Sequence, residues 1–257
     1  MLSTASFRFV DLSFRGKLSY IAHLYKAVFK EHHFWMEPLI RRFVDDDSVI
    51  FDVGAHSGQF TKLFSRLVPG GTVYAFEPGG YPYSILRFVM RSKRLGNLIV
   101  LNKALSSDSS ELTLVTPIKE SGTYRFGLGR VMRESEITPL SKNEPVEATS
   151  IDVFVSANNI QRLDFIKIDT EGWETHVLKG GVSSINRFHP TFLMELVEAN
   201  LSCSGDTLQS VWNKMLEWGY RPYISTDPQT LVECPGPQDG DIFWIHKDRW
   251  AAISNGN

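Results

Sequence analysis

The sequence predicts an α/β fold: a Rossmann-like, mostly parallel sheet with helices on both faces. Three observations predict it. From residue 48 onward, short apolar runs alternate with helical patterns. The first of those runs ends in glycines, and acidic residues recur at the ends of later runs.

Residues 17–30 read as an amphipathic helix, with Leu18, Ile21, Tyr25, Val28 and Phe29 on one stripe and Lys17, Lys26 and Lys30 elsewhere. Packing of the stripe against the core is the expected use. A substrate lid or a membrane-surface helix is the alternative. A second helix is expected over 34–44, before the acidic turn Asp45-Asp46-Asp47. Ser48 to Val53 (SVIFDV) then reads as a buried parallel strand. Helical patterns over 58–68 and 82–94 alternate with strands over 72–76 and 97–101, and 111–116 adds a further strand. Pro117 to Pro145 shows no periodicity and carries Tyr124, Phe126, Gly127 and Gly129, which predicts a long lid or binding loop. Alternation resumes with strands at 163–168 and 191–196 and helices at 173–187 and 206–218, and two strands at 220–224 and 242–246 finish the pattern. The expected organisation is an N-terminal helical extension, 1–47, followed by one domain, 48–257, carrying the 117–145 insertion.

Composition narrows the function classes. A chain of 257 residues can build one sizeable α/β domain. Its 27 basic and 29 acidic residues leave a formal charge of -2, which argues against a nucleic-acid partner and leaves a small-molecule or glycan acceptor. Cys203 and Cys234 lack any zinc-like spacing and read as free thiols of a reducing compartment. No apolar run approaches the ~20 residues of a bilayer span, so no stable membrane insertion is expected. Arg8 and Asp11 interrupt the start of the chain, which therefore lacks a leader-like apolar core, and a cytoplasmic location is expected. Oligomeric state stays open.

The first strand runs into Asp52-Val53-Gly54-Ala55-His56-Ser57-Gly58. A sharp strand-to-helix turn needs residues without a Cβ, and the crevice beyond the strand ends is where such sheets bind ligands. A dinucleotide fingerprint would be G-x-G-x-x-G, whereas here the glycines are spaced Gly54-x-x-x-Gly58 behind an acid. A carboxylate at Asp52 would repel pyrophosphate. It suits a nucleoside with cationic groups and no phosphate, as S-adenosylmethionine is. Glu77 ends the second strand, where a carboxylate accepts hydrogen bonds from ribose hydroxyls. Nicotinamide enzymes use the same device, so Glu77 does not discriminate between the two ligands.

The segment Asp164-Phe165-Ile166-Lys167-Ile168-Asp169-Thr170-Glu171-Gly172-Trp173-Glu174 is the most unusual of the chain. Strand periodicity puts Lys167 and Asp169 on one face, with Asp169 at the strand's carboxyl end. Acids this close raise one another's pKa unless a cation relieves them: Lys167, a ligand's sulfonium, or a bound divalent metal. Glu195 ends the next apolar strand and is expected beside Asp169.

DVGAHSGQFT, FEP, the segment Asn102-Lys103-Ala104-Leu105-Ser106, KIDTEGWETHVLKG and FLMEL together resemble the FkbM-type methyltransferases, over about residues 48–225. The resemblance implies the class I methyltransferase fold, with seven strands and the last antiparallel. It also implies O-methylation of sugar or secondary-metabolite hydroxyls with S-adenosylmethionine. It assigns Asp52, Gly54, Ala55, His56, Ser57 and Gly58 to the cofactor turn, Glu77 and Pro78 to the ribose, and Lys103 and Ala104 to the cofactor wall. Asp169 and Glu171 become the carboxylate pair facing the methyl group. His56 departs from the Asn common in the family, and Gly79-Gly80-Tyr81-Pro82 is unusually glycine-rich. Asp169 is the expected base or acceptor-orienting group, tuned by Glu171 and Glu195, with His176 a weaker base candidate. A nicotinamide-dependent oxidoreductase explains neither Asp52 nor KIDTEG. A non-catalytic binding protein leaves the retained acids unexplained. Methylation of nitrogen or nucleic acid lacks its Asn/Asp-Pro-Pro-aromatic signature.

Overall fold

The structure is a computed structural model that describes residues 7–117, 129–132 and 141–254. Helix α1 (Phe14–Phe29) is followed by the short α2 (Glu37–Ile40), strand β1 (Val49–Val53), α3 (Gln59–Leu67), β2 (Thr72–Phe76), α4 (Gly80–Lys93) and β3 (Leu98–Leu101). Next come β4 (Ala104–Leu105), β5 (Glu111–Pro117), β6 (Arg130–Met132), β7 (Ser141–Thr149) and α5 (Ile151–Ala157). The second half holds β8 (Phe165–Ile168), α6 (Glu174–Lys179), α7 (Val182–Phe188), β9 (Thr191–Leu196), α8 (Glu198–Leu201) and α9 (Leu208–Glu217). It ends with β10 (Tyr220–Ser225), β11 (Leu231–Glu233), β12 (Gly240–His246) and α10 (Lys247–Ser254).

The main sheet runs β11-β10-β12-β9-β8-β1-β2-β3. Pairing is parallel from β9 through β3, and β12 is antiparallel to both of its neighbours, as expected for the last strand. The sheet has eight strands rather than the expected seven, because the chain after β10 turns back and adds β11 as an antiparallel edge. That strand was invisible in the sequence: it is short and exposed, and its Leu-Val-Glu carries no alternation.

Strand periodicity splits the core in two. Phe51, Val53, Ile166, Ile168, Phe192 and Met194 pack on one face under α5, α6, α7 and α9. Ile50, Val73, Ala75, Phe165 and Leu193 pack on the other with α2, α3 and α4. Asp52 and Lys167 are register partners on β1 and β8 and belong, by the same period of two, to this second face.

The expected loop over 117–145 needs correction. Its described parts hold β6 and most of β7, which pair antiparallel with β5 in a second sheet ordered β4-β7-β5-β6. β7 reads SKNEPVEAT; its polar residues and Pro145 hide a strand that is only partly covered, because a small sheet with one wet face needs little apolar alternation. Tyr124 and Phe126 lie outside the described residues. The helix expected over 34–44 is a 3-10 turn, Phe34–Met36, followed by the four residues of α2. α1 forms as expected, but most of its stripe does not pack on the core: Leu18, Ile21, Tyr25 and Phe29 are exposed, while Val28 packs against the cluster of Tyr81, Ile85 and Val89.

Candidate active site

The turn after β1 is shaped by what the neighbouring strand tip leaves free. Gly54 has φ +74°, and a Cβ there would lie 1.8 Å from the Asp169 carbonyl oxygen. Only glycine allows the tips of β1 and β8 to come this close. Gly58, at φ +85°, caps α3 where a Cβ would meet Leu86 at 2.4 Å. His56 adopts φ +47° between them, a conformation Asn tolerates well and His less readily. The Gly54 and Ala55 N–H groups both donate to Phe76 O at 3.0 Å, and the His56 N–H donates to Glu77 Oε2 at 2.7 Å. The other Glu77 oxygen accepts from the Gly79 N–H at 2.8 Å. One buried carboxylate thus ties the β1 turn to the start of α4. Burial pushes Glu77 up to about 7 against the pull of those two N–H groups. Asn102 holds the same corner from behind, donating to the carbonyls of Glu77 (2.9 Å) and Pro78 (2.8 Å). Lys103, beside it, is paired with Glu147 of β7.

The tips of β8 and β9 carry a different arrangement. Lys167, with 6% of its side chain exposed, donates to Asp169 Oδ2 at 2.9 Å and to Gly54 O at 3.4 Å. Its ammonium lies 5.3 Å from the centre of the Phe60 ring. Burial works against ionisation of Asp169, but Lys167 and a hydrogen bond from Glu195 hold that carboxyl below its usual range. Glu195 is pushed the other way, up to about 8, by desolvation and by the negative charge of Asp169. The two titrate as a coupled pair, with the charge favoured on Asp169 and the proton favoured on Glu195. Glu171, at φ +55°, accepts from Asn200 Nδ2 at 2.8 Å, and Arg130 of β6 donates to Asn200 Oδ1 at 2.5 Å. Burial, then Asp169, raises the Glu171 carboxyl. Asp169, Glu171 and Glu195 offer oxygens within 4.8 Å of one another. Lys167 and the proton on Glu195 already relieve their repulsion, so charge alone does not require the divalent metal weighed from the sequence. Glu174 is buried and organises the loop, accepting from the Thr170 N–H (3.0 Å), the Thr170 hydroxyl (2.9 Å) and the Gly172 N–H (3.1 Å).

These two arrangements face one cavity of about 320 Å³, which Gly54, Ala55, His56, Ser57, Glu77, Pro78, Lys103, Ala104, Asp169, Glu171 and Glu195 all line. Two expected site residues fall elsewhere. Asp52 is fully buried beneath the turn and is not part of the lining. Strand periodicity turns its side chain toward α3, where the Thr61 hydroxyl donates to Oδ2, while Oδ1 has no hydrogen-bond partner among the described residues. Its acid therefore supports the turn from below, not at the cavity wall where the sequence reading put it. Gly58 likewise caps α3 outside the lining. The weaker candidate His176 stacks on Trp173 at 3.7 Å, also outside it.

Two titratable lining residues escaped the sequence reading. Asp241 faces Glu195 across the β9–β12 register. It was findable, because the start of an antiparallel strand lies at the same sheet edge as the ends of its parallel neighbours. His33, between α1 and α2, stacks on Phe60 with ring centres 4.1 Å apart. Burial and the nearby Lys167 hold its imidazole below the usual range, so it is neutral at pH 7. No sequence pattern announces it.

Comparison with known proteins fits this geometry. The methyltransferase FkbM domain family matches residues 52–222, two thirds of the chain. Among curated relatives, the hexuronic acid methyltransferase AglP of Haloferax volcanii is 29% identical over 149 residues, 57% of this chain and 55% of that protein. The 2-O-methyltransferase NoeI of Sinorhizobium fredii is 23% identical over 148 residues, 55% of this chain and 60% of that protein. The chain thus spans somewhat more than half the length of these relatives. The crystal structure of methyltransferase FkbM from Methylobacillus flagellatus KT superposes with a TM-score of 0.51 at 18% identity, covering 79% of this chain and 44% of that one, a likeness of fold. The sheet order, its antiparallel β12 and this likeness identify the Rossmann-like fold of class I methyltransferases, and the family match over most of that sheet places the chain in the FkbM methyltransferase family.

Proposed function

We propose that the protein is an S-adenosylmethionine-dependent O-methyltransferase acting on a hydroxyl of a sugar, glycan or secondary metabolite. One observation carries the reading: carboxylates of Glu77, Asp169, Glu171, Glu195 and Asp241 converge on a single cavity whose lysines, Lys103 and Lys167, are each already paired with an acid. Such a lining suits a cationic ligand and repels pyrophosphate, which disfavours a nicotinamide dinucleotide. The names of the two relatives, a hexuronic acid methyltransferase and a 2-O-methyltransferase, support a sugar hydroxyl as acceptor.

S-adenosylmethionine, when bound, supplies a methyl group on a positively charged sulfur. The chain's own residues do the rest. Each Glu77 oxygen receives one backbone N–H and keeps a lone pair for a ribose hydroxyl. The His56–Ser57 turn and the wall of Pro78, Lys103 and Ala104 would hold the nucleoside. Asp169, kept ionised by Lys167, would orient the acceptor hydroxyl and take its proton as the carbon–oxygen bond forms and the carbon–sulfur bond breaks, its electron pair staying on the sulfur. Glu195 holds Asp169 in place through the proton they share. Alignment within this pocket supplies part of the rate. The test is calorimetric titration of the full chain with S-adenosylhomocysteine and with NADH, followed by labelled methyl transfer to uronic-acid glycans and other hydroxylated acceptors. Binding of S-adenosylhomocysteine alone and transfer to oxygen are expected. Binding of NADH instead, or transfer to nitrogen, overturns the reading.

A further inference from the structure

α1 presents two unlike faces. Its inner face is fastened to the domain: Tyr20 shares a hydrogen bond with Ser84 at 3.0 Å, His23 Nδ1 with the Tyr81 hydroxyl at 2.9 Å, and Ala27 is buried. Lys62, on α3, closes the helix end by donating to the carbonyls of Ala27 and Lys30, each at 2.6 Å. The helix is therefore held in a fixed rotation about its own axis. Its outer face carries Phe14, Leu18, Ile21, Tyr25 and Phe29, at successive spacings of four, three, four and four residues, which place them in one line. They are 77%, 54%, 54%, 60% and 64% exposed. Scattered exposed apolar residues are ordinary, but a continuous line of large ones marks a surface that something covers.

Charge says what covers it. From Leu12 to Lys30 there is no Asp or Glu, while Arg15, Lys17, Lys26 and Lys30 are basic, in a chain whose formal charge is -2. Lys93 of α4 adds its ammonium 5.8 Å above the Phe29 ring. A second copy of the protein would bring this basic rim against itself. An anionic lipid surface offers both an apolar interior for the stripe and negative headgroups for the rim. We propose that α1 is an interfacial membrane-docking helix, lying in the headgroup boundary of an anionic bilayer with Phe14, Leu18, Ile21, Tyr25 and Phe29 facing the acyl chains. This inference is independent of the catalytic reading and needs no spanning segment; among the described residues no helix is long and apolar enough to cross a membrane.

The experiment is flotation of the full chain with vesicles of phosphatidylcholine alone and with about a third phosphatidylglycerol, at low and high salt. The expected result is a bound fraction at least about tenfold larger on the anionic vesicles, falling as salt screens the rim. The double variant Leu18→Asp/Ile21→Asp removes binding while leaving the thermal midpoint of the vesicle-free protein unchanged, since both side chains face outward. Lys26→Glu/Lys30→Glu abolishes the preference for the anionic vesicles. The proposal falls if the protein stays unbound on anionic vesicles, or if the Asp variant floats as well as the wild type. It falls equally if light scattering shows a dimer that the Asp variant dissociates, because then a second copy covers the face.

Discussion

Glu77 and Asp169 are the same kind of group at the same edge of the sheet, separated by β1, yet the chain treats them in opposite ways. Glu77 receives backbone N–H groups on both oxygens and is pushed up to about 7 by burial. Asp169 receives an ammonium and a proton held by a second acid, and stays below its usual range. At Glu77 burial outweighs two backbone donors that themselves favour the charge. At Asp169 a lysine beneath the carboxylate fixes the charge itself. The first design suits holding a neutral pair of hydroxyls, and the second suits presenting a fixed negative charge to an acceptor hydroxyl. Asp52 is a third variation on the same edge: among the described residues its side chain receives a hydrogen bond from the Thr61 hydroxyl alone, and its burial favours the neutral acid.

The largest effect that would break this comparison is at Asp169. Asp169→Asn keeps the shape and removes the charge, so turnover should fall by about 10²–10⁴-fold while cofactor affinity stays within a few-fold. Parallel calorimetry and a methyl-transfer assay check this, and an equal loss in both would move Asp169 from chemistry to binding. Next is the cation. Lys167→Met leaves Asp169 facing Glu195 and Asp52 without a counter-charge; breaking a buried pair on one side typically costs about 3–5 kcal/mol. Asp169 retains some water, so about 3 kcal/mol is expected from guanidinium unfolding with an unchanged slope. A cost under about 1 kcal/mol, the range of a surface pair, would mean that Lys167 does not carry the acids' charge.

The sequence announced the main sheet and most of the lining because both follow from strand periodicity: apolar alternation marks β1, β2, β8 and β9, and the acids sit where those runs stop. The same periodicity, carried one step further, would have placed Asp52 on the α3 face instead of in the cavity. What stayed hidden lacks a periodic signal. β7 is polar because half of it faces water, β11 is three residues long, and His33 reaches the cavity only through the packing of a short helical segment on Phe60. The exposed stripe of α1 was legible as a stripe but not as exposed, since an amphipathic pattern does not say which of two neighbours, core or outside surface, the apolar side meets.

A smaller effect sharpens the other half of the comparison. Glu77→Ala removes both ribose acceptors and should weaken S-adenosylhomocysteine binding by about 10–100-fold, the worth of two ordinary hydrogen bonds. Turnover at saturating cofactor should change far less than for Asp169→Asn. An unchanged dissociation constant would leave Glu77 as a brace for the His56 and Gly79 N–H groups and nothing more.

The mildest test separates the proton from the charge at β9. Glu195 titrates near 8 rather than its ordinary 4.5, so the folded protein holds this proton where the unfolded chain has already released it. With more protons bound to the folded state, stability must fall as pH rises between about 4.5 and about 8. Glu195→Gln cannot ionise but keeps an N–H to donate to Asp169. The variant should therefore lose less of its thermal midpoint than the wild type between pH 5 and pH 8.5, a difference of only a few degrees. In turnover the same logic predicts an alkaline limb for the wild type near pH 8, where Glu195 releases its proton and its hold on Asp169. The Gln variant should carry rate beyond that pH. Superimposable profiles would show that Asp169 works without its neighbour's proton and that Lys167 alone sets the charge at this end of the site.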